Sequence, residues 1–179
     1  MLGYILIAIA VIVVVFVIIV ATRPADFRVT RTTKISAPPA VVFAQVNDFH
    51  KWEAWSPWAK MDPACQNTFE DAPAGKGAGF AWAGNKKVGA GRMTITESRP
   101  SDLILIRLEF LKPFKATNTA EFTFKREGNQ TTVTWSMSGK SNFFFKAFGL
   151  FVDCDEMVGR DFEKGLAAMK SVTEAAGKN

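Results

Sequence analysis

The side chains best equipped for chemistry in this chain are aromatic: five tryptophans and sixteen phenylalanines, against one histidine and two cysteines. A single histidine excludes histidine-rich metal sites and most catalytic triads. That residue, His50, follows a helix-capping pair and sits beside Lys51 and Glu53, so it reads as a surface or packing residue. Cys65 and Cys154 are too few for a disulfide framework and too widely spaced for zinc. They read as small, partly buried thiols. The acidic run Asp153-Cys154-Asp155-Glu156 falls where a long helix should begin. Free N–H groups and the helix dipole favour carboxylates there, which explains the run without a metal or an acid–base pair. No cofactor or metal ion is called for.

The aromatic residues suggest binding. Trp52, Trp55 and Trp58 recur at three-residue intervals, and Trp82 and Trp135 fall in strand-like stretches. Residues three apart share a helix face, but the Ser56-Pro57 break should turn Trp58 away. Trp55, Phe80, Trp82, Met93, Phe110 and Phe122 could line a hydrophobic cavity with Phe124, Trp135 and Met137. Phe162 and Leu166, from an apolar stripe near the C-terminus, would close it. Asn118 is the candidate polar group; Arg92 would join it only by pointing inward, whereas strand alternation points it outward. Burying about 400 Å² of apolar ligand would yield roughly 10 kcal/mol before association costs, enough for micromolar binding. The competing reading is a filled core made of the same residues. Gly89-Ala90-Gly91 lacks the Lys-Ser/Thr of a phosphate loop and marks instead a bulge or a close approach to the long helix. Glu97, Glu109 and Glu121 lie on neighbouring strands. Glu109 and Glu121 should face away from the apolar side, beside Arg107 and Lys125, as surface ion pairs.

These residues need a scaffold, and the hydrophobic pattern supplies one. Phe27 to Ser36, rich in Val and Thr, reads as a strand. Pro39 starts a helix to Val46, and Asn47-Asp48 cap a further short turn carrying His50, Trp52 and Trp55. Strands follow at 66–70, 77–83 and 87–98, the last two joined at Gly84-Asn85. Leu103–Leu111, Thr117–Arg126 and Thr131–Lys140 then alternate with period two, which means an antiparallel sheet with one apolar and one wetter face. A short apolar piece covers 143–150. A long helix from about Val152 to Ala175 repeats Val158, Phe162, Leu166, Met169 and Val172 at three- and four-residue steps. Its stripe needs the apolar face of the sheet.

Ahead of this domain, almost every position from Leu2 to Val20 is Leu, Ile, Val or Phe, and the first charge is Arg23. Such a segment spans roughly 30 Å and favours membrane insertion by about 4 to 9 kcal/mol. A cleaved signal peptide would want a basic start, a shorter core and an A-x-A-like site. The organisation expected is a transmembrane anchor at 1–22, a linker at 23–26 and one domain at 27–176. Arg23, Arg28, Arg31 and Lys34 follow the helix, offset by Asp26, and nothing basic precedes it. The positive-inside rule then places the domain on the cytoplasmic side of the cell membrane. The formal net charge of +5 is diffuse, without the basic stripe interleaved with aromatics expected of a nucleic-acid binder.

The order strand, two short helices, antiparallel strands and long terminal helix is that of the helix-grip fold. The residues of Asn47–Trp58 (NDFHKWEAWSPW), Gly89–Glu97 (GAGRMTITE), Ala116–Phe124 (ATNTAEFTF) and Val133–Gly139 (VTWSMSG) resemble the SRPBCC superfamily, in its polyketide cyclase/dehydrase and lipid-transport-like branch. The resemblance implies an α+β helix-grip domain, its sheet wrapped around the long C-terminal helix with an apolar cavity between. It is specific for fold and poor for function. It implies a lipid or other hydrophobic small molecule as partner, alongside the bilayer that holds the anchor. It leaves open a cyclase-type enzyme and a regulatory module like the chaperone-ATPase activators.

Overall fold

The computed structural model describes residues 1–177. Helix α1, Leu2–Thr22, is apolar throughout, and only Val20 within it is buried. Strand β1 (Asp26–Ile35) follows after three residues, and helix α2 (Pro39–Asn47) after three more. Pro39 opens α2, where a missing N–H costs nothing. A 3-10 turn, Phe49–Ala54, comes next, with the Asp48 carboxylate capping it by accepting from the His50 N–H at 2.9 Å. Six further strands run in order: β2 Gln66–Asp71, β3 Ala78–Ala83, β4 Ala90–Arg99, β5 Leu103–Lys112, β6 Ala116–Glu127 and β7 Gln130–Lys140. Helix α3 (Phe143–Phe148) and helix α4 (Cys154–Ala176) complete the chain. Asp153 caps α4 by accepting from the Glu156 N–H, and Asp155 and Glu156 fill its first turn.

The strands form one antiparallel sheet in the order β1-β7-β6-β5-β4-β3-β2. β1 pairs with β7 because the chain returns from the far end of the meander to close beside its own beginning. Gly128, at φ 61°, takes the first central position of the two-residue β6–β7 turn, where a primed hairpin turn demands a positive φ. The expected strand from 87 begins instead at Ala90. Residues 84–89 close on themselves through Gly84 N–H to Gly89 O (2.9 Å) and Gly89 N–H to Asn85 O (2.8 Å).

Helix α4 runs along β1 and also meets α2 and the 3-10 turn. Its buried positions are Gly159, Phe162, Gly165, Leu166, Met169 and Thr173. Phe162 stacks face to face on Trp135 of β7, with centroids 4.0 Å apart and planes 6° from parallel. That closeness rests on Gly165, since a Cβ there would meet Trp135 Cζ3 at 2.9 Å and Pro57 Cδ at 3.0 Å. Arg31 crosses from β1 to α4, its Nε 2.8 Å from Glu163 and a terminal nitrogen 2.9 Å from Asp155. These hydrogen bonds, first with Asp155 and then with Glu163, raise the Arg31 pKa above its ordinary value. The guanidinium lies over Gly159, where a Cβ would force the Arg31 side chain to move.

Truncating Phe162 to Ala should remove the main apolar link between helix and sheet and destabilise the domain by about 3 to 5 kcal/mol. Val158→Ala, a half-buried position one turn earlier, should cost less than about 1.5 kcal/mol. Urea unfolding of the full chain in micelles, followed by near-ultraviolet dichroism, distinguishes the two.

Candidate functional site

The twelve candidate residues all lie on the side of the sheet that faces α4 or on α4 itself, but they divide into two groups. Trp55, Phe122, Phe124, Trp135, Phe162 and Leu166 are buried in one packed cluster. Trp135 is sandwiched between Phe162 and Phe122, the latter ring 4.8 Å away. Trp52 and Trp55 pack edge-on against Phe122 and Trp135. Each of those two indoles is pinned by its own N–H, Trp52 Nε1 to Val46 O and Trp55 Nε1 to Gln45 O, both at 3.0 Å. Trp58 does not turn away as expected. After Ser56-Pro57 the chain folds back, and its ring meets Trp135 at 5.8 Å and Phe162 at 6.4 Å. At this level the expected hollow between sheet and long helix is filled with rings. Among the described residues the buried Trp135 Nε1–H in this cluster has no acceptor, one of four buried side-chain polar atoms without a partner.

The second group lies toward the end of the sheet where β1 begins. Strand register aligns one row across it: Phe27, Gly139, Asn118, Leu108, Met93, Phe80 and Phe69. A second, shorter row holds Trp82, Gly91 and Phe110. Phe80, Trp82, Met93, Phe110 and Met137 are half-buried, as are Phe27 and Leu108. They form an apolar wall that α4, lying over β1, leaves open. Trp82 is held flat over Gly91 by its Nε1–H to Val88 O bond of 3.1 Å, and a Cβ on Gly91 would strike the ring. The close approach expected of Gly89 and Gly91 is therefore to Trp82 and to the Lys112 carbonyl, not to the long helix. Asn118 is the polar member of the wall. Its amide lies over Gly139, and its Nδ2 donates to Met137 Sδ at 3.8 Å. A thioether is a weak acceptor, so most of the amide's hydrogen-bonding capacity is unspent. Two open depressions of about 560 and 610 Å³ are present, one between Arg23 and Cys154 and one around Arg107, Thr119 and Ser138 that also touches Phe27, Asn118 and Gly139 of the row.

Charged groups stay off this wall. Arg92 points to the outer face and pairs with Glu70 at 2.9 Å and Asp71 at 3.3 Å. Glu109 pairs with Arg107, and Glu121 with Arg28. His50 stacks on the exposed Phe69, centroids 3.9 Å apart, with Nδ1 2.9 Å from Asp48. Among the described residues no three His, Cys, Asp or Glu side chains come together as a metal site would need. Phe27 and Leu108 were not among the sequence candidates. Leu108 was readable from strand alternation, whereas Phe27 stands on a strand whose inward positions include Arg31, which disguises the pattern.

With this geometry in view, comparison with known proteins is informative about kinship. Residues 26–174 match the family described as polyketide cyclase / dehydrase and lipid transport. The chain belongs to that family. No curated protein matches it in sequence. Among solved structures, protein Mll3558 from Rhizobium loti superposes with a TM-score of 0.62 at 15% identity, covering 83% of this chain and 98% of its own. Protein CV1439 from Chromobacterium violaceum gives 0.59 at 14% identity, covering 85% and 99%. The Aha1 dimer structure from Colwellia psychrerythraea gives 0.60 at 14% identity, covering 83% and 96%. At such identities the likeness shows the fold alone, a helix-grip of the SRPBCC type.

The two thiols differ, which corrects the expectation that both are partly buried. Cys154 is exposed, and Cys65 is half-buried. Burial pushes the Cys65 thiol up, and the nearby Asp62 charge adds to the effect. A raised pKa leaves less thiolate at a given pH, and the thiolate is the reactive form. Iodoacetamide at pH 8 should therefore modify Cys154 first and Cys65 slowly, as peptide mass spectrometry over a time course would show.

Proposed function

We propose that the chain is a membrane-anchored binding protein for a lipid or similar apolar small molecule, held against the open wall of the sheet. The observation that carries this reading is the row from Phe27 to Phe80. It is a mostly apolar row that packs by one side against the core yet stays only half-buried, with one amide whose only described partner is a thioether. Sites for apolar ligands have this make-up, a hydrophobic surface with few polar groups to fix orientation. An enzyme that folds a reactive chain would need several polar groups aimed at one place. The row offers Asn118, and the charged residues nearest to it face outward, which favours a carrier.

The anchor reading rests on α1. Its twenty-one residues span about 31 Å at the helical rise. All but Val20 leave their apolar side chains outside the protein, a surface that water does not tolerate and a bilayer does. The excess of Arg and Lys just after α1 supports placement of the domain on the cytoplasmic side. Tethering would then hold the wall at high effective concentration beside its ligand's source.

A photoactivatable lipid carrying a diazirine in its acyl chain, incorporated into vesicles bearing the full chain, tests the proposal. Crosslinks are expected on β3, β4 and β5 around Phe80, Met93 and Phe110, in addition to α1. Met93→Glu should cut the strand crosslinks at least tenfold, equivalent to about 1.4 kcal/mol, because an unpaired carboxylate is put against hydrocarbon. Labelling confined to Leu2–Thr22 would defeat the carrier reading.

A further inference from the structure

Several strongly exposed apolar side chains after α1 lie off the wall. Leu111 and Phe114 lie at the β5–β6 connection, and Phe143, Phe144, Phe148 and Phe151 lie in and after α3, each with at least two-fifths of its surface in solvent. Phe114 joins the loop to α3, meeting Phe144 at 5.6 Å and Phe145 at 5.8 Å. An apolar patch of this kind on a folded domain marks an interaction surface.

Its position identifies the partner. Helix α3 packs against α1, and Val20, two residues before the end of that helix, is fully buried there. The chain is also held at this point by the Ser141 N–H to Ala25 O bond of 2.7 Å. Val20 belongs to the apolar span, so whatever covers it stands at the depth where the span leaves the hydrocarbon. Arg23 and Lys146 line a depression with Phe145 and Phe151, which Asp26 and Asp153 also border, while Lys112 and Lys115 flank Phe114 in sequence and Lys140 precedes α3. None of these cations forms an ion pair among the described residues. Aromatic and aliphatic side chains accompanied by free cations suit the boundary between acyl chains and anionic headgroups.

We propose that α3 and the β5–β6 loop form a lip seated in the headgroup–acyl boundary of the bilayer that holds α1. The lip rests on the reading of α1 as an anchor. It adds a second, independent attachment that fixes the tilt of the domain and brings the wall's open end, at Phe110 and Trp82, down to the lipid surface.

The test uses the full chain with Cys65→Ala and Cys154→Ser, so that a single introduced cysteine carries a bimane label. Phe144→Cys reports the lip and Asn129→Cys, in the β6–β7 turn at the opposite end of the sheet, is the reference. Vesicles contain phosphatidylcholine and phosphatidylglycerol in a three-to-one ratio, with or without bromine on the upper acyl chain. The label at 144 should be quenched at least threefold more than that at 129. Phe114→Cys provides a second reporter should the α3 variant misfold. Carbonate extraction tests the anchor separately. Release from the vesicles removes the anchor and the lip with it, whereas retention with equal quenching at 144 and 129 overturns the lip alone. A blue-shifted label at 144 that bromine does not quench, and that depends on protein density, would mean a second copy covers the patch and would likewise overturn it.

Discussion

The face-to-face contact of Trp135 with Phe162 is the constraint on which the rest of this structure depends. It joins the sheet to the one helix long enough to shield it, and it is possible only because Gly165 lets the helix backbone approach. Once that pair is in place, Trp52, Trp55, Trp58 and Phe122 have only edges and corners of space left, and they fill them. The interior is thereby closed at its middle by aromatic packing. Whatever capacity the fold has for a guest is displaced to the end of the sheet where β1 starts. The same contact sets α4 along β1, reinforced by Arg31 reaching Asp155 and Glu163, and so decides which strands remain uncovered.

Much of this was legible in the residues. Alternation in β5, β6 and β7 put Ile106, Phe122 and Trp135 on one face and Arg107, Glu121 and Thr134 on the other, because a one-residue error in register would bury charges. Proline and Asp/Asn signals placed α2 and the 3-10 turn within a residue or two, and the apolar stripe did the same for the start of α4. What was not legible was the division of the aromatic residues into packed and open sets. Phe122 and Phe110 look alike in a pattern, and only the path of α4 over β1 separates them. That path depends on Gly159 and Gly165, glycines inside a helical stripe. Their meaning is a close approach whose partners, Arg31 and Trp135, lie more than a hundred and twenty and about thirty positions away. Trp58 was misplaced for a related reason. A proline break ends a helix but does not say where the chain goes next, and here Pro57 itself packs against α4.

The unpaired indole N–H of Trp135 is the clearest departure from economy in the interior. Buried polar groups without partners cost about 1 to 3 kcal/mol, and the neighbouring Trp52 and Trp55 both avoid that cost by bonding to α2 carbonyls. Trp135 makes no such bond where it stacks between Phe162 and Phe122. Asn118, at the open end, has little more than a sulfur to bond to.

Only Arg23, Pro24 and Ala25 separate the end of α1 from the first strand. Fully extended, three residues reach about 10 Å, and Ala25 is itself tied down by Ser141. A domain on so short a lead has no freedom to swing toward an opposing membrane or to leave with cargo. Were α1 to cross a bilayer and the wall to hold lipid as proposed, this protein would serve only the leaflet beneath it, as a fixture that samples or presents lipid in place and never as a ferry between compartments.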